Sequence, residues 1–119
     1  MLGGAKPPAP RTSKPADSPA WVQEQFYEDI AEEVYWLLEK AGSEVAGHWH
    51  ESVWQTVGLL KTSPFIGRKR ADLKYPGIRS WRVEHFTRWL IFYGIREDAL
   101  VLYRVRSGTM DLAALKLVS

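Results

Sequence analysis

The chain has 119 residues, a formal net charge of +2 and no cysteine. That length suits one domain with a modest core, and the lack of cysteine excludes a disulfide framework, a thiol nucleophile and a thiolate metal site. The small net charge hides an asymmetry: residues 1–62 carry 5 Lys/Arg against 9 Asp/Glu, a balance of −4, whereas residues 63–119 carry 11 against 5, a balance of +6. A basic half suits an acidic partner, either nucleic acid or an acidic protein segment. It equally suits a protein whose charges are segregated without consequence. No segment approaches the length needed to cross a bilayer, and the N-terminus lacks the apolar core of a secretory signal. A cytoplasmic protein with no membrane association is therefore expected.

Residues 1–17 contain few bulky apolar side chains and several prolines. Such a stretch cannot bury enough surface to offset its ordering entropy, so it reads as a flexible Pro-rich tail ahead of a single domain over 18–119. Ser18-Pro19 has the form of a helix start, with Ser as N-cap and Pro at the first helical position. Phe26, Ile30, Val34, Leu37, Leu38 and Ala41 then recur at helical spacing, and Gly42 ends the helix. Ser43 can cap a second helix with Ala46, Trp49, Val53, Val57 and Leu60 as its stripe, stopped by Ser63-Pro64. So short a link makes an antiparallel helical hairpin.

Beyond Pro64 the period changes. "IRSWRV" (78–83), "FTRWLIFY" (86–93) and "ALVLYRV" (99–105) are rich in β-branched and aromatic residues and read as strands. Their short connections, Glu84-His85 and 94–98, suit an antiparallel meander. The second and third strands are apolar on both faces. One face should pack on the helical hairpin, and the other needs a cover, from the C-terminal "DLAALKLVS" or from a partner. The fold class expected is α+β, an N-terminal helical hairpin on a small antiparallel sheet.

"HWHESVW" invites a metal reading, but His48 and His50 are two apart on a helix and point to nearly opposite sides. Trp54, not His, stands four residues after His50, so this is not a zincin helix. Glu44, His48 and Glu51 share a face best explained as solvated helix surface, and no metal or cofactor is expected. Trp49, Trp54, Trp81 and Trp89 are explained first by packing, with base stacking a minor alternative. No paired carboxylates, Gly-rich phosphate loop or Ser-His-Asp order points to an enzyme.

The basic run Gly67-Arg68-Lys69-Arg70 is unspecific by itself. It gains weight from Arg79, Arg82 and Arg88, and then Arg104 and Arg106, all on or beside one small sheet. Arg104 and Arg106, two apart on a strand, share a face. Arginine suits bidentate recognition of phosphate or carboxylate.

From Asp29 to Leu115 the chain resembles toxins of the RelE/ParE superfamily from bacterial type II toxin–antitoxin modules. The resemblance lies in an Asp-Ile pair in the first helix ("FYEDIAEEVYWLLEKAG"), in "EVAGHWHESV" on the second, and in "LLKTSPFIGRKRADLKYPGIRSWRV". It continues in the paired strands of "FTRWLIFYGIREDALVLYRV" and the closing "SGTMDL". It implies two antiparallel helices on a small antiparallel sheet, and a cognate antitoxin that wraps the toxin and alone brings it to operator DNA. The family usually begins with a strand before the first helix, and the Pro-rich start offers no clear one.

RelE-type members cleave mRNA on the ribosome with basic residues and often a C-terminal Tyr or His, whereas ParE-type members inhibit DNA gyrase. ParE-like members often read Arg-Val-x-His-Gly-x-Arg/Met-Asp at the last strand. Here the stretch is Arg104-Val105-Arg106-Ser107-Gly108-Thr109-Met110-Asp111. Ser107 stands at the His position, and of Tyr, His, Arg and Lys only Lys116 follows Arg106, so a proton-transfer group for RNA cleavage is not evident. The resemblance is therefore ParE-like. It implies gyrase inhibition, with Arg68, Lys69, Arg70, Arg79, Arg82, Arg104 and Arg106 as the surface for target or antitoxin. The alternatives are a ribosome-dependent endoribonuclease using Arg82, Arg104, Arg106 and Tyr93, and an inactive toxin-like binding module.

Overall fold

The computed structural model describes residues 20–108 and 115–117. The elements run β1 (Ala20–Val22), α1 (Glu24–Lys40), α2 (Ser43–Thr62), β2 (Arg68–Lys69), β3 (Arg79–Val83), β4 (Phe86–Arg96) and β5 (Ala99–Ser107). The strands form one sheet in the order β1-β5-β4-β3-β2. All neighbouring pairs are antiparallel except β1 with β5. The α+β architecture expected from the sequence is the one observed.

The start of the fold departs from expectation. In place of a helix opening after Ser18-Pro19, residues 20–22 form β1, and α1 begins only at Glu24, with Gln23 at the N-cap. The strand that the resemblance implied ahead of the first helix is therefore present. Its three residues pair in parallel with Leu100, Val101 and Leu102, and Trp21 is buried against Ala99 and Val101. A strand this short has no visible alternation, and its stability comes from β5 and from burying one indole. Residues 1–19, the turn at Thr109–Asp111 and most of the closing segment lie outside the described residues.

The α1–α2 hairpin forms as expected, with the stripe complete on α2 and only partly buried on α1, where Ala41 is the exposed C-cap. Ala46, Trp49, Val53, Val57 and Leu60 are all buried on α2. On α1 the buried residues are Phe26, Asp29, Ile30 and Leu37, while Leu38 stays exposed. Gly42, at φ 97°, makes the tight reversal that a Cβ would strain. It occupies the N-cap position of α2, and Ser43 is the first helical residue rather than the cap. In the C-terminal half of α2 the Thr56 hydroxyl donates to Ser52 O (2.7 Å) and accepts the Glu84 N–H (2.9 Å), tying α2 to the β3–β4 turn.

β4 runs further than expected, through Arg96, so the β4–β5 connection shrinks to Glu97 and Asp98. Both have positive φ, 53° and 65°, as a two-residue type I′ hairpin requires. One sheet face, with Val83, Ile91, Tyr93, Leu100, Leu102 and Val105, packs on the helices. The opposite face carries Ile78 and Phe92, and Leu115 and Leu117 of the closing segment cover it together with Leu73 and Tyr75. The second apolar face inferred from the sequence is thus covered in part by the chain's own terminus.

The Trp49 ring lies fully buried between helix and sheet, edge-on to Trp89. Truncating Trp49→Ala is expected to destabilise the fold by ~3–5 kcal/mol, read as a fall in the midpoint of denaturant unfolding.

Candidate functional site

The seven basic residues singled out in the sequence do not form one cluster. They divide between the two sides of the sheet. β3 and β5 are separated by β4, which places Arg79 and Arg82 about 10 Å from Arg104 and Arg106.

At the β5 side a carboxylate organises the arginines. β1 ends at Val22, opposite Leu102, and the Gln23 N–H donates to Leu102 O at 3.0 Å. Beyond that point β5 has no outer strand among the described residues. Asp29 of α1, only 3% exposed, takes the place of one. Its Oδ2 accepts the Val105 N–H at 3.1 Å and Arg104 Nε at 2.7 Å, and its Oδ1 accepts Arg104 Nη2 at 2.9 Å and Arg106 Nη1 at 3.0 Å. The Arg104 contact is the bidentate fork that guanidinium and carboxylate geometry favours. Arg106 Nη1 also donates to Glu32 Oε1 at 3.1 Å. Arg104 Nη1 donates to Lys116 O at 2.6 Å and so holds the closing segment. The Asp29 hydrogen bonds push the Arg104 pKa further up, so this guanidinium stays charged. Burial raises the carboxyl of Glu33, one turn along α1, above its ordinary value, against the nearby charge of Arg106.

At the other side the basic residues face outward. Arg68 and Lys69 on β2 are exposed, as is Arg82 on β3, whose guanidinium lies 4.4 Å from the Trp81 ring centroid. Arg70 is buried instead. Its Nε and Nη2 donate to the two Asp72 oxygens at 2.9 and 2.6 Å, its Nη1 donates to Ser80 Oγ at 3.1 Å, and it stacks on Phe92. That pair holds the Asp72 carboxyl down to about 2. Arg79 Nη1 donates to the Phe65 and Gly67 carbonyls, and its guanidinium lies over the Phe65 ring. Arg88 is exposed on β4.

Tyr93 is fully buried, and its hydroxyl is engaged twice. It accepts the Gly67 N–H at 2.9 Å and donates to Pro64 O at 2.8 Å. Burial raises its pKa, and a Cβ on Gly67 would collide with the Tyr93 ring. Tyr93 therefore braces the α2–β2 loop. Arg82, Tyr93, Arg104 and Arg106, the residues of the ribonuclease alternative, are not gathered around a common point. His48 and His50 are both exposed, His50 lying edge-on to Trp54, and the described residues hold no cluster of metal-ligating side chains.

Residues 22–112 match the family described as the ParE toxin of the type II toxin–antitoxin system parDE. This chain belongs to the ParE toxin family. It is 31% identical over 78 residues to Toxin ParE3 of Caulobacter vibrioides, spanning 66% of this chain and 74% of the relative. A chain from the structure "Chromosomal ParDE TA system from P. aeruginosa" shares the fold, with a TM-score of 0.65 at 13% identity, over 77% of this chain and 96% of that one. The protein is thus a ParE-type toxin of a toxin–antitoxin system. No described helix is long and apolar enough to cross a membrane.

Asp29 and Glu32 escaped the sequence reading as partners of the arginines. The available signal was an acid on an otherwise apolar helix face, three residues after Phe26 and beside Ile30. Asp29→Ala removes the buried carboxylate shared by two guanidinium groups and the Val105 N–H, and leaves Arg106 with Glu32 and Arg104 with the Lys116 carbonyl. It is expected to cost ~3–5 kcal/mol of stability, whereas Glu32→Gln, at an exposed carboxylate, costs at most ~1 kcal/mol; thermal unfolding of both variants checks the difference.

Asp72 has a folded pKa below its ordinary 3.8, so its pairing stabilises the fold fully above that value and is lost as pH falls towards 2. The stability gap between the native chain and Asp72→Asn should accordingly be present at neutral pH and close in acid, measured by denaturant unfolding across that range.

Proposed function

We propose that this toxin inhibits DNA gyrase by direct protein contact and is neutralised by a cognate antitoxin. Membership of the ParE family carries this reading. The geometry supports it over RNA cleavage, because Arg104 and Arg106 are committed to Asp29 and the Tyr93 hydroxyl to the Pro64–Gly67 loop. Ser107 supplies no evident proton-transfer group for RNA cleavage at the end of β5; as a departure from the His common in ParE-like members it also fits the inactive toxin-like alternative.

The surface for target or antitoxin is then the outward basic edge of Arg68, Lys69 and Arg82. Arg70 and Arg79 shape that edge from within, and Arg104 and Arg106 fix the opposite side of the sheet. Action on gyrase places the protein in the cytoplasm. Contact with operator DNA would come only through the antitoxin complex.

Purified toxin should block ATP-dependent supercoiling by gyrase. Induced expression should arrest growth with a DNA-damage response, relieved by co-expressing the small protein encoded beside it. Cleavage of translated mRNA with supercoiling intact would instead establish the ribonuclease reading.

A further inference from the structure

Phe65 and Ile66 project from the loop that joins α2 to β2. Phe65 is 67% exposed and Ile66 38%. Exposed apolar side chains are ordinary on a protein surface, and Tyr27, Tyr35 and Trp36 are exposed on α1 as well. Those three stand on the regular surface of a helix. Phe65 and Ile66 stand on a loop that the rest of the fold holds still.

The holding contacts reach every residue of that loop. The Ser63 N–H donates to Leu59 O at 2.9 Å, and the Ile66 N–H to Ser63 O at 3.3 Å. The Tyr93 hydroxyl donates to Pro64 O at 2.8 Å and accepts the Gly67 N–H at 2.9 Å. Arg79 Nη1 donates to Phe65 O at 3.2 Å and to Gly67 O at 2.8 Å. The same guanidinium lies 5.2 Å from the centre of the Phe65 ring, a cation–π contact that fixes the ring from one face. A phenylalanine at 93 would fill the core as well as Tyr93 does, without a buried hydroxyl to satisfy. The hydroxyl therefore serves the loop.

We propose that Phe65 and Ile66 form a rigid knob that the toxin inserts into an apolar pocket on the folded surface of its target protein. Side chains positioned before binding lose little freedom on binding, and an aromatic anchor seated in a pocket supplies much of the energy of a protein interface. Arg68 and Lys69 follow the knob directly and are exposed, so the pocket carries carboxylates on the rim that faces β2. A nucleic-acid base would stack on the open face of Phe65 but gain nothing from Ile66. An aliphatic side chain beside an aromatic one calls for a concave apolar surface instead. The proposal rests on the reading that the toxin acts by direct contact with a protein, and it names the group that makes the contact.

The test compares the native chain with the double variant Phe65→Ser, Ile66→Ser and with Tyr35→Ser, which removes an equally exposed aromatic from α1. Two readouts are taken: growth arrest on induced expression at matched soluble levels, and inhibition of supercoiling by purified gyrase. The double variant should keep its thermal unfolding midpoint, fail to arrest growth, and need roughly thirtyfold more protein to block supercoiling. Tyr35→Ser should match the native chain. Tyr93→Phe, which releases the loop and keeps the core ring, should weaken inhibition in the native chain and add nothing in the double variant. The proposal is overturned if the double variant acts as the native chain does, if Tyr35→Ser is as damaging, or if Tyr93→Phe weakens the double variant further. It is also overturned if oligo-dT binds the native chain and Phe65→Ser abolishes that binding, which would make the loop a stacking site for nucleic acid. Should the double variant fail to fold, Phe65→Ser alone decides. A native chain that arrests growth with gyrase unaffected contradicts the gyrase reading, and growth then decides on the knob. One that inhibits gyrase equally well with and without Phe65 and Ile66 contradicts the knob alone. One that does neither engages no target and contradicts both.

Discussion

The carboxylate of Asp29 is the constraint on which the arrangement of this toxin depends. It sits on the buried face of α1, where an unpaired charge would be costly. It is satisfied there by two guanidinium groups and a backbone N–H from β5. The N–H is one that β1 would have accepted had it continued past Val22. A three-residue strand and one side chain together close the outer edge of β5, and an unprotected edge is what sheet proteins must avoid. Through Arg104 the same carboxylate reaches Lys116 O, so helix, last strand and closing segment meet at one point.

This changes how the arginines are to be understood. Two cations at the end of a strand look like a site for an anion, and here the anion is supplied by the protein itself. Their role is to hold α1 against the sheet. The basic character left for other molecules lies two strands away, at β2, β3 and the loop over 70–78. The toxin is in effect built with a neutralised side and a cationic side, which is where the segregation of charge between the two halves of the chain acquires structural meaning.

Much of the fold was legible before the structure. The α2 stripe from Ala46 to Leu60, the stop at Pro64 and the three long strands followed from periodicity and turn chemistry, because each element carries its own signal. β1 did not, because three residues cannot display a period and Pro19 mimics a helix start. The extension of β4 to Arg96 was hidden because Glu97-Asp98 is a poor turn sequence held by the flanking pairing, not by its own preference. The Asp29 contacts were hidden for a different reason: they join residues about 75 apart in sequence, and nothing local marks such a pair. For the same reason Tyr93 entered the sequence reading only as a participant in the ribonuclease alternative, whereas the fold brings its hydroxyl to Pro64 and Gly67.

The decisive measurement is a double-mutant cycle between Asp29→Asn and Arg104→Gln, read as unfolding free energy. If the Asp29 carboxylate organises this side of the toxin through Arg104, the two changes are strongly coupled, by ~2–3 kcal/mol. Coupling below ~0.5 kcal/mol would mean that the two effects simply add. That result would contradict the structural role assigned to Arg104 and return it to the list of groups free to engage a target.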